Sequence, residues 1–491
     1  MDCDCLVSGT GLEIFPRLPP LSAFGSYHKA AHRVFMSATV SDDSFLIKGM
    51  GLSDKTIQSP LTFYGEKWSG EKMVLIPSLL SETLDRSALV ERFAKPLRGR
   101  KYGVVALVPS FKGAADWKGY GAVLADKATI DSEVTRLRNK EWDTTLVAAN
   151  RYDGIDLPDN SCRILILDSR PRGESFFDRH QEKCLADTDV IAAKTARTIE
   201  QGMGRSVRGE KDYSVILLIG PDLVSAVRSQ EARTFLSSQT QKQVEIGLTI
   251  ADFAKEDIQK GEKPIHSLFG LINQCLNRDD GWKDYYVGHM NAIADPSALP
   301  KSLEIFALEL KAEQAAREGR YEDAAKLSQN LADTHSTSDA EKGWHLQEGA
   351  RHLYRSSKVE SEKLQTIAHR KNPFLLRPRT RAGTMVPLKV EHRPVEKESN
   401  SSALTPMWLP YRWMLTHFSR NSGSASTQTT SKQHSTSSAR RSDLPAKDLT
   451  SSGRRDRTTT GFSATTLHFS LSARARSGSI AQRLRSEKPT R

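Results

Sequence analysis

The chain has 491 residues, enough for two to four domains, and a formal net charge of +12 at pH 7. The charge is unevenly distributed. Residues 371–491 carry 22 Lys or Arg and 7 Asp or Glu, a local charge of +15, whereas the other 370 residues carry 49 and 52, a charge of −3. The basic character belongs to the last segment, so it is no argument that the rest of the chain binds nucleic acid.

The sequence excludes a membrane-spanning segment, because its apolar runs are far shorter than the ~20 residues needed to cross a bilayer. The opening MDCDCLVSGTG is acidic and lacks the apolar centre of a signal peptide. The five cysteines show no paired framework, and Cys3 and Cys5 are only half of a metal site. We therefore expect a soluble, cytoplasmic chain with reduced cysteines and no bound metal.

The first element in chain order is the apolar stretch that opens VFMSAT (34–39). It predicts a strand that ends at Ser37, Ala38 and Thr39. A hydroxyl at a strand end is most often an ordinary turn residue, so this segment alone does not indicate a site.

Five apolar, β-branched runs follow between residues 70 and 220. They do not alternate polar with apolar residues, which is typical of strands buried on both faces of a parallel sheet. Helix-like segments at 87–97 and 189–203 lie between them, so the pattern predicts a doubly wound α/β domain with ligands at the carboxyl ends of its strands. The runs are KMVLIPS (72–78), YGVVALVPS (102–110), TTLVAAN (144–150), CRILILDS (162–169) and YSVILLIG (213–220).

Polar residues stand where two of these strands end. Ser110 closes one run, and Arg151, Gly154 and Asp156 follow the next in NRYDGIDLPDN (150–160). Each residue alone is more often part of a turn than of a site, because Asp-Gly is common turn chemistry.

The segment TARTIEQGMGRSVRG (195–209) places Gln201, Arg205 and Arg208 at i, i+4 and i+7, which predicts that they share one helix face. Gly202 and Gly204 each cost a helix about 1 kcal/mol against Ala. They favour a surface that a polyphosphate approaches closely, since guanidinium groups grip phosphate oxygens well. A solvated basic helix face explains the same spacing.

Residues 236–372 predict a helical accessory region. The stretch 302–333 has helical periodicity with a turn at Gly319, and it resembles one tetratricopeptide-type hairpin. One hairpin is not a repeat array, which needs about three units. From residue 373 Ser, Thr and Arg dominate, so residues 373–491 are predicted to be a disordered basic tail, either a native arm or the product of a shifted reading frame.

Together and in this order, these segments resemble the carboxyl-terminal motifs of superfamily-2 helicases of the DinG/XPD-like type. SAT (37–39) resembles the motif that couples nucleotide state to strand movement, DGIDLP (153–158) the fifth motif, and QGMGRSVR (201–208) the Q-x-x-G-R-x-x-R sixth motif. The match covers roughly residues 10–235 and extends into the helices to about residue 372. The resemblance implies that residues 1–65 are a remnant of a first RecA-like domain with its linker, and that residues 66–235 are the second RecA-like domain.

The resemblance also implies roles for the candidate residues. Arg205 and Arg208, with Gln201, would act as arginine fingers on ATP held between two RecA-like domains. Gly154, Asp156 and Gly204 would lie close to the nucleotide or its Mg²⁺. Ser110 and Arg151 would contact the nucleic-acid backbone. Ser37, Ala38 and Thr39 would couple the state of the nucleotide to movement of the nucleic-acid strand. Segment 33–38 would belong to the sheet of the first RecA-like domain and would be exposed here.

A helicase of this type also needs a G-x-x-x-x-G-K-[ST] loop and an acidic metal-binding motif, and neither occurs in this sequence. ATP and Mg²⁺ would thus be held mainly by another domain, and the family's iron–sulfur cysteines are not supported in this chain. We expect the chain alone to be inactive. It is either the product of a truncated gene or the partner of a separate polypeptide, acting on single-stranded or duplex nucleic acid, preferably DNA. The alternative is a non-catalytic nucleic-acid-binding or interaction module with a degenerate RecA-like fold.

Overall fold

The computed structural model describes residues 3–9, 11–36, 43–61, 68, 70–152, 154–157, 159–207, 209, 211–293, 302–378 and 408–410. All of these residues lie in one compact unit, Met1–Ala425, and the other unit, Ser426–Arg491, lies outside the described residues. The strands are β1 (Cys3–Ser8), β2 (Gly11–Pro16), β3 (Glu71–Leu75), β4 (Val104–Val108), β5 (Val123–Ala125), β6 (Leu146–Ala149), β7 (Ile164–Asp168), β8 (Tyr213–Ile219) and β9 (Trp408–Pro410).

The helices alternate with the middle strands and then continue without strands to residue 371. They are α1 (Gly25–His28), α2 (Phe45–Met50), α3 (Asp54–Gln58), α4 (Pro77–Leu80), α5 (Arg86–Ala94), α6 (Ala115–Gly119), α7 (Ile130–Arg138), α8 (Phe176–Cys184), α9 (Asp189–Met203), α10 (Pro221–Arg228), α11 (Gln230–Arg233), α12 (Ser238–Gln259), α13 (Pro264–Leu276), α14 (Asp280–Asn291), α15 (Ser302–Arg317), α16 (Tyr321–Asn330), α17 (Asp339–Leu353) and α18 (Lys358–Lys371). Short 3₁₀ turns lie at Leu21–Ala23 and Asp159–Ser161, and a π-helical turn at Leu331–His335.

Six strands form one parallel sheet in the order β3-β8-β7-β4-β6-β5, which confirms the predicted α/β class. Its centre is buried on both faces. Ile166 of β7, for example, pairs with Ala106 on one side and Leu217 on the other, and all three side chains are fully buried. The edge strand β5 was not predicted, because three residues are too short to show a pattern.

Helices cover both faces of the sheet. One face packs against α5, α6, α13 and α14, with Trp117 and Tyr286 fully buried there. The other face packs against α7, α9 and α10 through residues such as Val134, Ile199 and Leu223. The predicted strands and helices of residues 70–228 are therefore confirmed in type and close to their predicted bounds.

The region 236–372 is helical among its described residues, as predicted. Helices α15 and α16 form the predicted hairpin, and Gly319 turns the chain between them with φ +82°. A second pair, α17 and α18, follows, and each helix packs against the next in chain order. No helix among the described residues is both long enough and apolar enough to cross a bilayer.

The amino-terminal residues form a structure that the sequence did not indicate. β1 and β2 pair as an antiparallel hairpin, and β9 joins the free side of β1, with Asp4 opposite Pro410. The hairpin packs on α8 and α17, where the rings of Phe15 and Phe177 lie 4.9 Å apart. Apart from the hydrogen-bonded backbone of β9, the predicted tail beyond residue 378 lies outside the described residues.

The prediction of a strand in VFMSAT is wrong for its described part. Residues 32–36 belong to no strand, because no segment in the described part of the chain pairs with their backbone. Val34 and Met36 are 69% and 75% exposed, which agrees with the expectation that this segment is exposed. Ser37, Ala38 and Thr39 lie outside the described residues.

Candidate functional site

Ser110 and Arg151 begin two neighbouring loops at the carboxyl edge of the sheet. They follow β4 and β6, which are paired, and the backbone N–H of Asn150 donates to the carbonyl of Val108 at 2.7 Å. The exposed Ser110 hydroxyl accepts a hydrogen bond from the backbone N–H of Gly113 at 3.2 Å. Arg151 is half-buried and makes no hydrogen bond or ion pair with the described residues. The structure thus brings these two candidates to one edge.

The loop from residue 150 to 157 has an apolar side and a polar side. Tyr152, Ile155 and Leu157 are buried in the core, whereas Gly154 and Asp156 are exposed. Gly154 has φ +74°, a left-handed conformation that favours glycine, and a Cβ there would have no neighbour within 4 Å. Conformation rather than space therefore requires glycine at this position.

Asp156 lies next to helix α7. Its carboxylate is 3.8 Å from the guanidinium of Arg138, which also donates to the Asp156 carbonyl at 3.1 Å. The side chains of both residues are about half exposed, so this pair adds little stability and leaves the carboxylate in contact with solvent.

The guanidinium of Arg205 holds this loop. Its Nε donates to the carbonyl of Tyr152 at 2.8 Å and its Nη1 donates to the carbonyl of Ile155 at 3.2 Å. Gly154 and Asp156 flank the second of these contacts in sequence. The structure thus joins the segment that resembles the fifth motif to the segment that resembles the sixth.

The prediction that Gln201, Arg205 and Arg208 share one helix face is wrong. Helix α9 ends at Met203, and the following Gly204 is its C-cap residue. Gly202 in the last turn and Gly204 at the C-cap weaken the helix there. The hydroxyls of Ser206 and Ser214, 2.7 Å apart, tie the following chain to β8 instead. Gln201 is half-buried in the last turn of α9, Arg205 lies beyond that turn, and Arg208 lies outside the described residues.

The two glycines of this segment have different environments. A Cβ on Gly202 would lie 2.9 Å from the Tyr152 ring and 3.2 Å from Leu167, so the helix packs closely on the loop and the sheet at this position. A Cβ on Gly204 would meet only carbonyls of the preceding turn, at 3.4 Å or more. Gly202 therefore allows close packing within the chain. At this residue the group that approaches closely is the Tyr152 ring, not a polyphosphate.

A buried carboxylate at the end of β7 was missed by the sequence analysis. Asp168 is 1% exposed and accepts two hydrogen bonds from Arg86, at 2.7 and 2.8 Å, and one from Trp117 at 2.8 Å. Burial alone would lower the pKa of Arg86, but its hydrogen bonds to Asp168 and Asp116 outweigh burial and raise it. The signal was present in ILILD, where a carboxylate ends an otherwise apolar strand.

A second buried carboxylate, Glu200, joins α9 to α12. It accepts hydrogen bonds from the backbone N–H and the hydroxyl of Ser237 at 2.7 and 2.6 Å. Burial lowers the pKa of Lys72 to about 8, and the negative charge of Glu200 partly offsets that effect. These contacts fix the position of α9 and hence of Arg205.

The guanidinium of Arg205 donates to backbone carbonyls, and no group of three or more His, Cys, Asp or Glu residues suited to a metal ion occurs in the described part of the chain. Neither a scan of the sequence against models of protein families nor a search of curated proteins found a match.

Proposed function

We propose that residues 66–235 are the second RecA-like domain of a superfamily-2 helicase of the DinG/XPD-like type, and that the chain supplies arginine and nucleic-acid contacts to an ATP-dependent enzyme acting on DNA. The observation that carries the proposal is the pair of hydrogen bonds from Arg205 to the carbonyls of Tyr152 and Ile155. The two segments with the most specific resemblance, about 50 residues apart in sequence, are joined there by one guanidinium.

The six-stranded parallel sheet supports this proposal because RecA-like domains are built on such a sheet. Ser110 and Arg151 begin neighbouring loops at its carboxyl edge, where open α/β sheets bind their ligands. A hydroxyl and a guanidinium are suited to a phosphate backbone, where affinity is mostly electrostatic.

In this proposal another domain binds most of the nucleotide, and the residues of this chain help to orient it. ATP, when bound mainly by a domain carrying the G-x-x-x-x-G-K-[ST] loop, would supply the phosphoryl group and the energy for translocation. Arg205 keeps the loop of Gly154 and Asp156 in place, and Arg208 with Gln201 would lie at the junction between the two domains. Any change of this loop on domain closure would be transmitted through Arg205.

The test measures ATP hydrolysis with and without single-stranded DNA, first for this chain alone and then with a polypeptide carrying the first RecA-like domain of such a helicase. We expect no turnover by the chain alone, because its sequence holds no phosphate-binding loop. With the added domain, Arg205→Ala or Arg208→Ala should lower kcat by about 10²-fold or more. Arg228→Ala, an exposed arginine at the end of α10, is the matched control and should leave kcat unchanged.

A comparison of kcat with DNA affinity separates the roles of Arg205. Loss of turnover with unchanged affinity for DNA supports a contact to the nucleotide, whereas equal loss of both indicates that Arg205 acts by holding the loop. Steady turnover by the chain alone that Arg205→Ala abolishes would contradict the proposal.

One observation favours a second function, a non-catalytic nucleic-acid-binding module. The sequence has no G-x-x-x-x-G-K-[ST] loop to hold the phosphates of ATP. In that case the chain binds single-stranded DNA with the same affinity whether or not ATP and the first domain are present, and Arg151→Ala weakens binding without any effect of nucleotide.

A further inference from the structure

A groove on the outer side of the sheet's helical cover stands apart from the candidate site. It lies between the second half of α12, the start and middle of α13, and the first turns of α14, and its volume is about 520 Å³. The residues around it pack on the sheet face formed by Met73, Leu75 and Leu217. No part of the proposed function uses this surface, so a role for the groove is independent of that function.

The groove has aromatic walls. Phe253 from α12 is 56% exposed, Tyr285 from α14 is partly exposed, and Trp282 forms the buried floor between them. An exposed aromatic side chain at the edge of a groove offers apolar contact area to a ligand, and the faces of aromatic rings attract cations. The walls thus suit a ligand with both an apolar part and a positive charge.

The charged residues that line the groove are of one sign. Asp257, Glu262 and Asp279 line it, and no lysine, arginine or histidine is among its described lining residues. Glu262 makes no ion pair with any described residue, and Asp257 has only a long contact of 3.5 Å to the exposed Lys260. An acidic rim over an aromatic floor is complementary to a basic partner rather than to nucleic acid.

We propose that this groove is a docking site for a basic peptide segment of a partner protein, in which arginine or lysine side chains flank an aliphatic residue. The aliphatic residue lies on Trp282 between Phe253 and Tyr285, and the cations face Asp257 and Glu262. Binding is expected to be moderate and sensitive to salt, because the carboxylates are exposed.

The chain offers a matched pair of glycines for the test. Gly270 lines the groove on α13, and Gly288 lies on the exposed side of α14 outside it; a Cβ at either position has no neighbour within 4 Å. Gly270→Leu therefore fills the groove without a clash within the chain, and Gly288→Leu makes the same change away from the groove. Both replace a helical glycine by a better helix former, so both should fold at least as well as the parent chain.

The experiment measures fluorescence anisotropy of a labelled, end-capped peptide in which arginines flank a leucine, titrated with the full chain at low and physiological salt. Peptides with glutamates in place of the arginines, or serine in place of the leucine, serve as specificity controls. We expect binding in the micromolar range for the basic peptide, a loss of about tenfold or more with Gly270→Leu, and no change with Gly288→Leu. The double change Asp257→Asn, Glu262→Gln should weaken binding several-fold, whereas Glu256→Gln, exposed on the same helix but outside the groove, should not.

Three outcomes would overturn the proposal. The first is equal affinity for the basic and acidic peptides, and the second is equal loss with the two leucine variants. The third is self-association of the chain, in sedimentation velocity, that Gly270→Leu alone abolishes, which would make a second copy of this chain the occupant. Thermal unfolding of every variant checks that a loss of binding is not a loss of fold. If Gly270→Leu is unstable, the charge variants still test the proposal.

The two proposals fail independently. Absence of ATPase activity bears only on the proposed function, and a failure of peptide binding bears only on this groove.

Discussion

The parallel sheet and the amino-terminal hairpin are both packed against helices, but the chemistry of the two contacts differs. The sheet is held by apolar side chains that are excluded from solvent on both faces. The hairpin contact has apolar residues such as Leu6 and Trp344 on one side and a cluster of buried charges on the other. The first kind of contact is insensitive to pH, and the second depends on which groups are ionised.

Arg17 is the centre of the charged cluster. Its Nε lies 2.8 Å from the Asp4 carboxylate, and its Nη2 contacts Glu348 of α17. Arg351 joins Glu348, at 3.1 Å, to Glu313 of α15. The side chains of Arg17, Asp4 and Glu313 are each about 7% exposed, so a strand and two helices meet around charges that have left water.

The protonation of these groups is coupled. Burial would raise the pKa of Glu348, but Arg17 and Arg351 outweigh burial and lower it. Burial raises the pKa of Asp4 more than Arg17 lowers it. Removing one member therefore changes the charge on the others, whereas removing one leucine from the sheet leaves only a cavity. Single substitutions and a pH series can test that difference, from the largest expected effect to the smallest.

Arg17→Met should lower the free energy of unfolding by about 3–5 kcal/mol, because it leaves Asp4, Glu313 and Glu348 without their common cation in a buried setting. Urea unfolding at pH 7 measures this. Arg179→Met, an exposed arginine on α8, should change stability by less than about 0.5 kcal/mol. A cost below about 1 kcal/mol for Arg17→Met would mean that the buried charges contribute little to the hairpin contact and that its apolar residues stabilise it, as in the sheet.

Leu165→Ala should cost about 2–5 kcal/mol, because Leu165 is fully buried on β7 between Val105 and Ile216. The loss should be the same at pH 7 and pH 5, since no ionisable group is involved. Urea unfolding of this variant at the two pH values sharpens the comparison with Arg17→Met. A loss that differs by more than about 1 kcal/mol between the two pH values would show that the sheet and the charged cluster are energetically coupled.

Stability should fall as the pH is lowered from 6.5 towards 3. Burial, followed by the positive charge of Arg351, lowers the pKa of His352 from 6.5 to about 3, while Glu313 and Glu348 oppose this. The unfolded chain thus binds a proton that the folded chain does not, so the contribution is fully present above pH 6.5 and is lost as the pH falls, by up to about 1.4 kcal/mol per pH unit.

The measurement is urea unfolding of the parent chain and of His352→Gln between pH 7 and pH 4.5. In the upper part of this range Glu313 and Glu348 keep their contribution, because their pKa values lie below their ordinary 4.5. Burial also lowers the pKa of His180, to about 4, and that of His345, so the difference between the parent chain and His352→Gln gives the share of His352. The raised pKa of Asp4 acts in the opposite direction, since its protonated form is favoured in the folded chain. An unchanged pH dependence in His352→Gln would assign the effect to another group.

Gly202→Ala and Gly204→Ala should have opposite effects. A Cβ at Gly202 meets Tyr152 and Leu167, so the variant should lose about 1–3 kcal/mol by overpacking. A Cβ at Gly204 has room, so the better helix propensity of alanine should stabilise the chain by up to about 1 kcal/mol. Thermal unfolding of the two variants measures the difference, and equal losses would show that both glycines serve packing.

Local pattern was sufficient for much of the fold. The runs that became β3, β4, β6, β7 and β8 were legible because strands buried on two faces are continuously apolar. The bounds of α9 and the turn at Gly319 followed from helical periodicity and from glycine's access to positive φ. The candidate loops after β4 and β6 were placed at one edge because parallel strands all end on the same side.

The sequence by itself therefore determined which segments are buried and at what spacing their buried side chains recur. The spacing of apolar residues reflects the burial of each side chain along its own helix or strand. Only the tertiary structure decided the partners of those side chains. Arg205 lies about 50 residues from the carbonyls it binds, and Arg17 lies 331 residues from Glu348. Neither residue carries a local pattern that names its partner, because hydrogen bonds and ion pairs depend on the approach of distant backbone segments, and that approach is set by the packing of the whole core.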